Sequence, residues 1–285
     1  MKWIESALII LDSQMTTPSL FGWFHILWLA ITAVATVMAC IYGPKLSKNQ
    51  VNNIVLLTAI VVAALEIMKQ INFSFSAGDN GIEFDYQWYA FPFQFCSTPM
   101  YVGLLAGLIR KGRLYDHLCA YLATYAVFAG LVVMFYPGDV FIGTICINVQ
   151  TMICHGSMIP IGALLYASGV VKAEHKTIFR AGCVFSIAVA LASVMNELAY
   201  VTGLLDSESF NMFYISPHCS PSLPVYSLVQ QALPFPFCLI VYVLAFSAAA
   251  YVLLLIAVII RRKKVSFSNS SKTPLTSSRS FAIMR

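Results

Sequence analysis

Charge is what this chain has least of. Asp, Glu, Lys and Arg make up 10% of its 285 residues, against about 25% in soluble domains, and that shortage excludes an ordinary water-soluble fold. Paired-cysteine spacing is missing too. The eight cysteines, at 40, 96, 119, 146, 154, 183, 219 and 238, form no CxxC pair and no metal-type pattern, so neither a metal centre nor a disulfide framework is expected. No metal or other cofactor is implied. The first ten residues lack the basic start and small-residue cleavage site of a signal peptide; they read as an interfacial segment with Trp3 as an anchor. No repeat of the transporter kind and no internal domain boundary is visible.

What fills the chain is apolar: 59% of residues are hydrophobic and the mean hydropathy is +0.80. A bilayer core takes about 20 apolar residues per helix. Seven segments meet that need, at Leu20–Tyr42, Ile54–Phe75, Trp88–Ile109, His117–Tyr136, Thr144–Ser168, Ile178–Val201 and Phe237–Ile260. They are too long, and alternate too little, for β-barrel strands. The fold class read from them is all-α, a polytopic membrane bundle of seven transmembrane helices. Residues 1–19 form an N-terminal segment, 20–260 the transmembrane domain and 261–285 a basic, Ser-rich tail without regular structure.

Positive charge is absent from every second loop. Segments 76–87, 137–143 and 202–236 hold no Lys or Arg and carry Asp79, Glu83, Asp85, Asp139, Asp206 and Glu208. Lys45, Lys48, Arg110, Lys111, Arg113, Lys172, Lys176, Arg180 and the seven basic residues after Ile260 bring 15 of the 17 Lys and Arg to the other loops and the tail. The positive-inside rule then places the N-terminus outside and the C-terminus in the cytoplasm, as a multi-pass protein of the cell membrane. The net charge of +5 reflects this asymmetry and does not call for nucleic acid. Arg261–Lys264 reads as a stop-transfer anchor, with anionic-lipid binding as the sharper alternative.

Polar residues inside the segments sort by depth. His25, the patch Glu66, Lys69 and Gln70 (i, i+3, i+4), the pair Gln94 and Cys96, the run Asn148, Gln150, Thr151 and His155, and Asn196 with Glu197 all fall in the outer halves at 1.5 Å per residue. Ionisable groups at membrane depth cost about 2.5–3.5 kcal/mol each, so they mark a shared cavity, here open toward the outer leaflet. The bland readings are a self-neutralising Glu66–Lys69 pair, His25 and Asn196 as interhelical hydrogen-bond partners, and Cys96 as a small buried side chain. Cys96 differs from the other cysteines in lying near a helix start, beside Gln94, Ser97 and Thr98 and between Pro92 and Pro99. A thiol with a histidine at equal depth on another helix is the Cys–His arrangement for acyl transfer, which needs the two within reach of one another.

"PFQFC" (Pro92–Cys96), "NVQTMICHG" (Asn148–Gly156), "NMFYISP" (Asn211–Pro217) and "FGWFHILWL" (Phe21–Leu29) together resemble the YwaF-like integral membrane proteins and the transmembrane protein 164 family. The resemblance covers residues 20–260. It implies a lipid acyltransferase moving fatty-acyl chains between phospholipids, with Cys96 and His155 as the catalytic pair. On this reading Asn148 or Gln150 orients His155, and Gln94 is an oxyanion donor. His25, Glu66, Lys69 and Asn211 bind a headgroup or hold the site. Water as acceptor would make the same site an acyl hydrolase. The chain departs from the family at "LPFPF" (Leu233–Phe237), where relatives run into Trp-Pro-Trp-Tyr. A transporter or small-molecule-binding protein using the same vestibule is the alternative, and a seven-helix receptor has only helix count behind it. The expected partners are membrane phospholipids.

Overall fold

The computed structural model describes residues 2–78, 81–138, 140–203, 209–219 and 223–270. Among the described residues, ten α-helices carry the fold: α1 (Lys2–Leu11), α2 (Trp23–Tyr42), α3 (Lys48–Asn72), α4 (Thr98–Ile109), α5 (Arg113–Ala123), α6 (Tyr125–Phe135), α7 (Ile145–Ala167), α8 (His175–Thr202), α9 (Pro224–Ala232) and α10 (Phe235–Ser270). Five stretches among the described residues are long and apolar enough to cross a membrane: Trp23–Lys45, Lys48–Asn72, Arg113–Phe135, His175–Thr202 and Phe235–Ile260. Their outer faces are what lipid requires and water would penalise: Trp23 is 74% exposed, Phe179 75% and Leu57 63%.

The two remaining expected spans differ from that pattern for physical reasons. α7 has the length, but Asn148, Gln150, Thr151 and His155 are all buried on it and dilute its hydropathy. The segment Trp88–Ile109 is helical only from Thr98. Before it, Trp88–Ala90 makes one 3-10 turn and residues 91–97 are irregular, because Pro92 and Pro99 each withhold an amide from a helical ladder. The expected single helix over His117–Tyr136 is broken at Thr124, at φ −127° and ψ −77°, into α5 and α6.

Three elements have no counterpart in the hydrophobic runs: α1, α9 and a hairpin of β1 (Phe75–Gly78) with β2 (Gly81–Phe84), antiparallel with Phe75 opposite Phe84. α10 continues in helical form past Ile260 to Ser270. The rest of the expected tail, 271–285, lies outside the described residues, as do Asp79, Asp139, Asp206 and Glu208.

The loops gather at two ends. At one, Gly43 abuts Ala167 and the Lys48 ammonium stands 4.6 Å over the Tyr115 ring. At the other, the Met15 amide donates to the Gly143 carbonyl at 2.6 Å and the Asp85 amide to the Ser74 carbonyl at 3.0 Å. α7 lies centrally, packed against α2, α3, α5 and α6. Helices approach closely where side chains vanish, as expected without a hydrophobic drive between them. A Cβ added at Gly107 would stand 2.5 Å from Leu56 Cβ, and one at Gly156 would stand 2.7 Å from Thr32 Oγ1. On the far side of α7, aromatic rings fill the core: Tyr125 stacks on Phe185 at 4.6 Å and Tyr242 on Phe246 at 4.4 Å.

Candidate functional site

The polar residues of five elements converge at the end that carries the hairpin. Glu66, buried on α3, is the centre: its Oε1 accepts from Lys69 Nζ at 2.8 Å and Gln70 Nε2 at 2.8 Å, and its Oε2 accepts from Gln150 Nε2 on α7 at 3.0 Å. The i+3 and i+4 spacing on α3 thus forms the patch that the sequence suggests. Gln70 also donates to the Ala90 carbonyl at 2.9 Å and accepts from the Tyr86 hydroxyl at 2.6 Å. Burial pushes the Tyr86 phenol up, with the Glu66 charge adding to it, so it remains a donor. Thr151 Oγ1 reaches Gln150 Oε1 at 3.4 Å.

His155 sits one turn further along α7. Its Nδ1 lies 2.7 Å from the Thr151 carbonyl oxygen, the i−4 position. A carbonyl can only accept, so Nδ1 carries the proton and Nε2 presents the lone pair. That Nε2 is buried and has no hydrogen-bond partner. Cys96 lies in the irregular segment before α4, partly exposed. Its carbonyl receives the Cys154 thiol at 3.8 Å, which brings the residue before His155 against the candidate nucleophile. Lys69 is a charged neighbour of both Cys96 and His155, with Glu66 acting on Cys96 as well. No hydrogen bond joins the Cys96 thiol to the His155 ring among the described residues; catalytic contacts of this kind often tighten only when substrate is bound.

The other expected site residues hold backbone. Gln94 Nε2 donates to the Asn211 carbonyl at 3.0 Å and its Oε1 accepts from the Phe213 amide at 2.9 Å. Its amide therefore clamps a loop, where the sequence suggests an oxyanion donor. Asn196 grips the same loop through Met212, accepting from the amide at 2.8 Å and donating to the carbonyl at 3.0 Å. Asn211 Oδ1 takes the Ser216 amide at 2.9 Å, and the Tyr242 hydroxyl donates to the Phe213 carbonyl at 3.1 Å. Phe213 and Tyr214 adopt φ of 58° and 57°, a left-handed conformation that non-glycine residues hold only when surroundings impose it. Phe213, fully buried, meets Phe93, Phe95 and Phe185. The "NMFYISP" loop is thereby plugged into the bundle beside Cys96.

Asn148 does not orient His155. It pairs with both polar groups of Ile142, at 3.0 and 2.7 Å, and fixes the entry to α7. Gln150 is committed to Glu66, so the Thr151 carbonyl takes the orienting role. His25 is fully satisfied: Nδ1 accepts from the Phe21 amide at 2.9 Å and Nε2 donates to the Met134 carbonyl at 2.8 Å, tying α2 to the end of α6. Tyr86, Cys154 and Tyr242 escape a reading by depth alone; the direct adjacency of Cys154 to His155 was the signal for one of them. No group of three or more His, Cys, Asp or Glu suited to a metal occurs among the described residues.

A multi-helix bundle with an apolar exterior and a buried polar cluster at one end defines a polytopic helical membrane protein. The chain matches the model of the TMEM164 family over residues 20–276 and belongs to that family. No curated protein and no solved structure matches it.

Proposed function

We propose that the chain is a membrane-embedded thiol acyltransferase acting on the fatty-acyl chains of phospholipids, with Cys96 as nucleophile and His155 as general base. The observation that carries this reading is the His155 ring: Nδ1 fixed by a carbonyl, and a buried Nε2 lone pair left without a partner beside the Cys96 segment. A buried imidazole nitrogen without a partner costs about 1–3 kcal/mol, which a proton-accepting role explains.

In this reaction His155 Nε2 takes the Cys96 thiol proton as the sulfur bonds to the ester carbonyl carbon. The tetrahedral oxyanion collapses with cleavage of the carbon–oxygen bond. The imidazolium returns its proton to the leaving oxygen, giving a lysophospholipid and a Cys96 thioester. An acceptor hydroxyl then reverses the sequence; with water as acceptor a free fatty acid results. Glu66 holds Lys69 and α7 in register, while Gln94, Asn196 and Asn211 hold the loop that walls the site.

The proposal includes a topology of seven spans in the cell membrane with the N-terminus outside, α4 with its irregular lead-in and polar α7 being the two spans beyond the five apolar ones. Intact-protein mass spectrometry after incubation with phosphatidylcholine vesicles, and separately with an acyl-phosphonate, tests the chemistry. An adduct on wild type that is lost in Cys96→Ala, and falls by about 10²-fold or more in rate in His155→Gln, is expected. Folded wild-type protein that takes up no acyl group from either reagent would overturn the enzyme in favour of a binding or transport role.

A further inference from the structure

A second thiol stands beside the candidate nucleophile, and acyl transfer gives it no role. Cys154, buried on α7 one residue before His155, donates its thiol to the Cys96 carbonyl at 3.8 Å. The two residues are 58 apart in sequence and come from different elements. Among the charges that act on Cys154, that of Cys96 stands ahead of Glu66 and Lys69. The contacts of other cysteines lead elsewhere: Cys146 to the Leu11 carbonyl at 2.7 Å, Cys219 to that of Phe210 at 3.6 Å and Cys238 to that of Leu233 at 3.2 Å. Cys96 and Cys154 are both in the thiol form.

We infer that Cys96 and Cys154 form an oxidation site, at which a hydroperoxide converts the two thiols to one disulfide and so blocks the nucleophile. The effect on acyl transfer rests on the proposed function; the disulfide itself does not. Three observations carry the site. A disulfide needs Cα atoms within about 7 Å, and the thiol–carbonyl contact sets the two residues side by side. Local freedom is the second. Cys154 is held by α7, but Cys96 lies in the irregular segment 91–97, and a void of about 40 Å³ lined by Cys154, Pro99, Met100 and Met158 leaves room for a sulfur to turn. The third is a base: the unpartnered His155 Nε2 can take the Cys96 proton, and the thiolate is the form that peroxides oxidise.

The Cys96 sulfur attacks the terminal oxygen of the hydroperoxide, and a sulfur–oxygen bond forms as the oxygen–oxygen bond breaks. The proton held by His155 leaves with the alcohol, or with water when the oxidant is hydrogen peroxide, and Cys96 becomes a sulfenic acid. The Cys154 sulfur then attacks the Cys96 sulfur. The sulfur–oxygen bond breaks, and hydroxide departs with the Cys154 proton as water. Two electrons pass from the thiols to the hydroperoxide. Without the second thiol the sulfenic acid proceeds to the irreversible sulfinic acid, so Cys154 makes the block reversible. In the proposed orientation the site faces the extracytoplasmic side, where no cytosolic thiol pool keeps cysteines reduced.

The test uses full-length protein, reduced in phosphatidylcholine nanodiscs and treated with hydrogen peroxide or with lipid-soluble cumene hydroperoxide. The two arms separate an aqueous oxidant from a membrane-borne one. Remaining thiols are then alkylated in denaturant and the peptides mapped by mass spectrometry. Wild type should show Cys96 joined to Cys154, lighter by two hydrogens, as the principal disulfide. Acyl uptake should fall in proportion to the fraction of Cys96 so joined and return with dithiothreitol. In Cys154→Ala, dimedone should trap the Cys96 sulfenic acid, and uptake lost to prolonged oxidation should not return, each measured against that variant's own reduced state. The mapping on wild type needs no variant, so the site stays testable if Cys154→Ala does not fold. Cys154 still open to alkylation after both oxidants, or a principal disulfide through another cysteine, would overturn the site. The two readings fail separately. A Cys96–Cys154 disulfide in protein that takes up no acyl group keeps the thiol pair and removes the enzyme, whereas a Cys96 acyl adduct without that disulfide keeps the enzyme and removes the pair.

Discussion

Glu66 shows how a single carboxylate can be tolerated at membrane depth. All its hydrogen-bonding capacity on one face is used by Lys69 and Gln70 from its own helix, and Gln150 brings in a second helix at 3.0 Å. Removing the carboxylate leaves the Lys69 ammonium and the Gln150 amide without an acceptor, while Gln70 keeps the Ala90 carbonyl, and breaking a buried pair in that way costs about 3–5 kcal/mol. Glu66→Ala should therefore lower the thermal midpoint in detergent by about 10 °C, since 1 kcal/mol shifts a domain of this size by roughly 2–4 °C. Glu66→Gln keeps one acceptor oxygen for these donors and should lose less than half as much. Equal losses in the two variants, read by a thiol-independent thermal scan, would mean that the carboxylate is no more than a packed side chain. The same residue separates stability from chemistry, because the carboxylate touches Lys69 and Gln150 and not the His155 ring.

At the scale of elements, the strained loop at 211–216 is held by side chains that reach it from three directions. Asn196 supplies two hydrogen bonds to Met212, Gln94 supplies two to Asn211 and Phe213, and Tyr242 supplies one to Phe213. Left-handed conformation at Phe213 and Tyr214 costs about 1–2 kcal/mol per residue, so the loop depends on those bonds. Asn196→Ala strands a buried amide and a buried carbonyl, a loss of about 2–4 kcal/mol. Hydrogen exchange should show it as faster exchange across 209–217 with α3 and α7 unchanged; uniform exchange across the bundle would mean that the loop has no separate anchoring. The hydrophobic runs make α2, α3, α8 and α10 legible, and i+3 and i+4 spacing makes the Glu66 patch legible. The clamps are not. Position within a hydrophobic run marks Gln94, Asn148 and Asn196 as polar residues to be explained, but it carries no information on which distant backbone folds back to meet them. His25 reads either as a candidate ligand or as an interhelical tie, and its bonds make it a tie between α2 and α6, whereas the Thr151 carbonyl, common to every residue, gives no signal at all.

At the scale of the whole molecule, the charge pattern and the packing make the same division. The loops rich in Lys and Arg meet around Gly43, Ala167 and Tyr115, while the acidic loops meet around the hairpin, the N-terminal segment and the plugged loop at 211–216. In the proposed topology, cytoplasmic retention of Lys and Arg keeps the basic end inside. In the proposed orientation the polar cluster opens on the extracytoplasmic side. Single cysteines added to a Cys219→Ser background provide the test, at exposed Ser76 on the hairpin and at exposed Lys111 between α4 and α5. A membrane-impermeant maleimide on intact cells should label Ser76→Cys and spare Lys111→Cys until the membrane is permeabilised. The reverse pattern would place the cluster on the cytoplasmic face, and an acyl donor would then have to come from the inner leaflet. Labelling of both positions in intact cells would require an even number of crossings between β1 and α5, so that α4 with its irregular lead-in would return to the side it entered from.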